Sequence, residues 1–275
     1  MMKKLSCLLI LLLLCTTTVG CMSEYANDPN NGEILKYENK YAYIDGTYLA
    51  YGTYYNNEGY VPAMQLTVKN GIINRVRFDL FDTVGAAYSE ITDPALAEEI
   101  SLFNTEVKSL NSALLQAQTY TQLDTDNDTN TIYHNMASAL FANLTTGVTD
   151  PIPVDFANTY SALGAINTYG FYPILTVSYS GALITQISFA QLDAQNHDIA
   201  DLKTYTDLYD QKNDLSYRDA IAILNALPND KMTLGKSTEA GLDKDLLAVY
   251  NKLAAVVAAK HQPYQSDPLS LFSSK

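Results

Sequence analysis

Between Gly59 and Asp82 apolar residues alternate with polar ones, at Met64, Leu66, Val68 and Val76. The pattern returns without a gap between Gly170 and Asp193, at Leu175, Val177, Tyr179 and Ile187. Alternation gives a strand one buried face. Each stretch therefore predicts a β-hairpin, turning near Asn70-Gly71 in the first copy and Ser180-Gly181 in the second. Five residue types recur at fixed positions, as Gly59/Gly170, Pro62/Pro173, Ile73/Ile184, Phe78/Phe189 and Asp82/Asp193. Upstream, Thr47 to Gly52 and Thr159 to Gly164 share Thr-Tyr-x-Ala-x-Gly and predict a strand before each hairpin. Downstream the apolar spacing becomes helical, over 95–117 and 198–226, and again in last helices around Tyr133 and Tyr250. Pro151 and Pro153 interrupt the pattern between the copies and favour extended chain. The fold expected is α+β, with two tandem similar domains, each a small antiparallel sheet packed with helices. The expected bounds are 41–147 and 155–261, with 148–154 as linker and 262–275, rich in Pro and Ser, as a disordered tail.

The first residues depart from this scheme. Lys3 and Lys4 precede an apolar run from Leu8 to Cys15 and a small-residue stretch ending at Gly20, which reads as a secretory signal rather than a permanent span. Thr18-Val19-Gly20-Cys21 resembles the junction of a bacterial lipoprotein signal, so 1–20 is expected to be removed and Cys21 acylated. The alternative is ordinary secretion with a free Cys21. Two acyl chains hold a protein firmly on a membrane, and residues 21–40, polar with Pro29 and Gly32, read as a flexible tether. Cys7 and Cys15 leave with the signal, so no disulfide is expected. Losing Lys3 and Lys4 takes the formal net charge from −13 to −15. That excludes nucleic acid as an expected partner and leaves the lipid, not the domain face, as the membrane contact.

Candidate chemistry is sparse. Leu234-Gly235-Lys236-Ser237 imitates the end of a phosphate-binding loop, but Asp230 stands where its first glycine belongs. His134, His197 and His261 show no ligand spacing for zinc, and no nucleophile elbow or free thiol marks a catalytic site. Asp124, Asp126 and Asp128 match the first three ligand positions of a calcium loop, but Thr129 and Asn135 replace its glycine and terminal glutamate. The other reading of that stretch is an acidic approach to a helix that Asp128 or Thr129 caps.

The unit from Asp45-Gly46-Thr47-Tyr48 through the hairpin to Asp82, repeated behind a lipoprotein-type signal, resembles the domain of bacterial extracellular FMN-binding lipoproteins. The resemblance spans about Asp45 to His261. It implies flavin mononucleotide esterified to a hydroxyl in an Asp-x-x-Ser/Thr-Gly-Ala-Ser/Thr motif before the last helix, with the flavin carrying electrons. In the first copy Asp124 fits the aspartate, but Asn130 replaces the acceptor. In the second, Gly235 and Ser237 keep the glycine and a hydroxyl, with Lys231 in place of the aspartate. The expectation is a membrane-anchored surface lipoprotein with a ligand-binding or accessory role, for a small planar ligand, transferring electrons only if flavin is retained at Ser237. The alternatives are a structural or adhesive surface protein without cofactor and a calcium-binding module.

Overall fold

The computed structural model describes residues 41, 43–235 and 241–273, so the signal, the tether, Cys21 and Ser237 lie outside the described residues. The first copy opens with β1 (Gly46–Gly52), β2 (Val61–Lys69) and β3 (Ile72–Phe81), then α1 (Ala97–Ala117) and α2 (Asp128–Leu144). The chain crosses through β4 (Ile152–Val154) to β5 (Ala157–Leu163), β6 (Tyr172–Ser180) and β7 (Leu183–Leu192). It ends in α3 (Lys203–Asp210), α4 (Tyr217–Asn225) and α5 (Lys244–Lys260). The architecture is α+β, with one sheet in the order β3-β2-β1-β4 and another in the order β5-β6-β7, each backed by helices.

The recurring residues have physical reasons. Tyr48 pairs with Leu66 and Tyr160 with Val177, and both tyrosines are fully buried under the helices. The motif ends in glycine because the strand there runs against a proline ring. A Cβ on Gly52 would lie 2.8 Å from Pro62 Cδ, and one on Gly164 would lie 2.4 Å from Pro173 Cγ. Phe78 packs on Tyr133 of α2 at 5.1 Å between ring centroids, and Phe189 on Tyr250 of α5 at 5.5 Å. Asp82 accepts from the backbone N–H groups of Val84 and Ala86, as Asp193 does from Gln195 and His197, so each turns the chain out of its third strand. Even the register irregularity repeats, at Thr67/Val68 in β2 and Ser178/Tyr179 in β6.

The copies differ in three places. The first has a single 21-residue helix where the second has α3 and α4. α3 ends at Asp210, and Ser216 starts the next helix, its hydroxyl capping α4 by accepting from the Asp219 N–H at 3.2 Å. The linker is extended as expected, but Ile152–Val154 also joins the first sheet as a strand parallel to β1. Residues 262–272 are not a disordered tail. Gln262 and Tyr264 exchange backbone hydrogen bonds with Tyr55 and Thr53, and Leu271 and Phe272 bury against Leu49, Val61, Ala63 and Phe81 on the face of the first sheet away from α1 and α2. Pro and Ser content pointed to fraying, whereas burial of that apolar pair holds the segment down. The described residues of both copies belong to one compact unit, and none of their helices is long and apolar enough to cross a membrane.

Candidate functional site

A cleft of about 890 Å³ opens beside the first sheet, and one of about 340 Å³ beside the second. They occupy the same place in the two copies. Each has at its base a registered pair from the hairpin, Pro62 with Leu80 in the first and Pro173 with Gln191 in the second. Each has one rim fixed by an asparagine turn. Asn56 Oδ1 accepts from the N–H groups of Glu58 and Tyr60, and Asn167 Oδ1 from those of Tyr169 and Phe171. Gly59 and Gly170 close these turns at φ +85° and +84°, with nothing within 4 Å of either missing Cβ, so backbone conformation and not space selects glycine. The helical walls also correspond, Glu99 and Phe103 on α1 to Tyr205 and Tyr209 on α3, and Asp128 on α2 to Asp245 on α5. The first cleft is larger and gains a further wall from Phe156 to Thr159 of the second copy.

Their chemistry is not the same. The first cleft is lined by four carboxylates, Glu58, Glu99, Glu106 and Asp128, with no lysine, arginine or histidine among its lining residues. Its apolar wall is aromatic. Tyr60 and Phe103 both stand edge-on to Tyr88, at 5.2 Å in each case. The Tyr88 hydroxyl donates to Glu99 Oε1 at 2.6 Å. Burial first, and then that carboxylate, push the Tyr88 hydroxyl up to about 12, so it stays a donor at physiological pH. The second cleft places Tyr169 edge-on to Tyr205 at 5.2 Å and has Lys212, Asp243 and Asp245 in its lining.

The aspartates expected as a calcium loop are not brought together. Asp124 lines a separate recess of about 560 Å³, Asp126 Oδ1 accepts from the Asn130 amide at 2.6 Å, and Asp128 faces the first cleft. Among the described residues no three His, Cys, Asp or Glu side chains form a group that could hold a metal ion. The helix cap falls one residue before the expected positions. Asn127 Oδ1 accepts from the Asn130 N–H at 2.8 Å, and Asp128 is the first helical residue, where its charge favours the helix dipole. Asn130, at the position the resemblance would give to the flavin acceptor, is 7% exposed and has no hydroxyl.

His261 is half-buried between Tyr54 of the first copy and Tyr179 of the second, stacked at 4.2 and 3.8 Å. Its Nε2–H donates to the Gly181 carbonyl at 2.9 Å. Sequence spacing could not find the clefts, because their helical walls come from segments that do not align. The one signal available was the recurrence of Asn56 and Asn167 at the spacing that relates the hairpins.

No known protein family and no curated protein matches the chain. Among solved structures it is similar to the CPE2226 protein from Clostridium perfringens, at 22% identity over 42% of this chain and 98% of that one, with a TM-score of 0.35.

Proposed function

We propose that the chain is a bacterial surface lipoprotein, anchored through acylated Cys21 on the extracytoplasmic side of the membrane, whose two repeats are small-ligand-binding modules rather than catalytic ones. The observation that carries this reading is the coincidence of the two clefts. Each copy keeps an open concavity at the same point, bounded by corresponding residues of the hairpin and its asparagine turn. Both volumes fall in the range of ligand sites, roughly 300 to 1,000 Å³.

Flavin mononucleotide does not fit the first cleft. Its phosphate would face four carboxylates and no basic side chain, and Asn130 offers no hydroxyl for the ester. Redox function therefore rests on Ser237 alone. Co-expression with a flavin transferase tests it: a colourless protein of unmodified mass removes electron transfer from the reading. Cys21→Ser should release the protein from the membrane fraction, and unchanged membrane attachment would remove the anchor.

The binding role is tested by NMR with a panel of aromatic fragments of every charge. Shifts confined to residues of either cleft are expected. If no fragment perturbs either cleft, the protein is a structural or adhesive one.

A further inference from the structure

We propose that the first cleft takes an organic cation: an amine with a flat apolar body, seated against Tyr60, Tyr88 and Phe103, with its charged head among Glu99, Glu106 and Asp128. The inference rests on the ligand-binding reading above and gives it a substrate class. Three observations point the same way.

The first is charge. Four carboxylates converge on a concave surface without a basic residue in its lining, and such a cleft concentrates cations and repels anions. Lys260 donates its ammonium to Oδ1 of the lining residue Asn57 at 3.2 Å and to the Ser161 carbonyl at 2.9 Å. The carboxylates are thus left with neutral donors, the Tyr88 hydroxyl on Glu99 and the Asn127 amide on Glu106.

The second is the shape of the apolar wall. Tyr60 and Phe103 both meet Tyr88 nearly perpendicular, at 82° and 86°. Tyr88 and Phe103 are each 8% exposed, so the half-buried Tyr60 is the ring most open to a guest, and aromatic rings attract cations.

The third is independent of the acidic side chains. The carboxamide oxygen of Asn130 is buried and has no hydrogen-bond partner among the described residues, while its amide nitrogen is held by Asp126. Asn130 lines the recess that abuts the cleft, and Leu102 and Glu106 line both. A buried acceptor without a donor is costly and rare. That uncompensated acceptor is sealed from solvent behind Glu106, the side chain the two recesses share, and its dipole adds to the negative potential there.

The test is a charge series on one ring: phenethylamine, 2-phenylethanol and 3-phenylpropanoate. Binding to the full chain is followed by NMR shifts at the cleft and by tyrosine fluorescence, which is unobscured because the sequence has 21 tyrosines and no tryptophan. The amine should bind about tenfold more tightly than the alcohol, with the carboxylate weakest. Glu99→Gln combined with Glu106→Gln should abolish that preference. Glutamine still accepts from Tyr88 and Asn127, so an unchanged melting temperature would show the fold intact. Equal or tighter binding of the alcohol or the carboxylate overturns the cation and leaves the cleft reading standing. A preference that survives the double substitution overturns the assignment of the head. If none of the three binds, the inference falls, and the fragment panel decides separately whether the cleft reading falls with it.

Discussion

His261 stacks on Tyr54 and Tyr179, one ring from each copy, and meets Tyr160 edge-on. Burial, partly opposed by the bond to the Gly181 carbonyl, holds its pKa below the ordinary 6.5. A depressed histidine pKa means that, as pH falls below the ordinary value, the unfolded chain takes up a proton the folded chain refuses. Stability from this group is therefore full above about pH 6.5 and declines as pH falls toward the lower folded value. The melting temperature should drop as pH falls below about 6.5, and His261→Phe should flatten that drop while keeping the stack. An equal slope in the variant would mean other groups set it. A second contrast at this scale lies in the equivalent tyrosines of the last helices. The Tyr133 hydroxyl donates to Asn111 Oδ1 at 2.8 Å, whereas the buried Tyr250 hydroxyl has no partner among the described residues. Tyr133→Phe should cost about 1 kcal/mol in urea unfolding, and Tyr250→Phe should be neutral or stabilising.

Among the elements, α2 shows most directly how local sequence sets a boundary. Asn127 caps it, Asp128 complements its dipole, and Tyr133, Met136, Ala137, Leu140 and Leu144 form its buried stripe. Asn127→Ala should destabilise the protein by about 1 kcal/mol, and Asp128→Asn by less than half of that, read from denaturation midpoints. A reversed order would place the cap at Asp128 after all. The hairpins were legible because strand period, turn residues and register agree: Asn70 and Gly71, at φ 55° and 73°, form the two-residue turn the sequence announces. The break between α3 and α4 was not legible. The apolar spacing of 198–226 is helical, whereas the structure ends one helix at Asp210 and starts another only after the cap at Ser216.

For the whole molecule, the C-terminal segment matters most. It leaves α5 in the second copy and covers the first sheet, where Arg77 Nη1 donates to the Phe272 carbonyl at 2.8 Å and its guanidinium lies 4.7 Å from the Phe272 ring. Phe272→Ala should cost about 3 kcal/mol, and removing the segment after Gln262 should expose Leu49, Val61 and Phe81 to a hydrophobic dye. No dye binding and no loss of stability would show that the strap is dispensable. Because it ties the copies together beside the His261 stack, the truncated chain should also lose the single cooperative unfolding transition.

The sequence by itself determined what depends on neighbours along the chain: the alternation that makes each hairpin, the recurrence that makes two copies, and the acidic balance. Strand period, turn chemistry and charge are local or additive, so they can be read without coordinates. Tertiary structure alone decided that Gly52 and Gly164 answer to proline rings, that the tail becomes a strap, and that Glu58, Glu99, Glu106 and Asp128 share one cleft. Those facts depend on which distant segments come within a few ångströms of one another. Contact of that kind follows from the packing of whole elements and leaves no period in the chain.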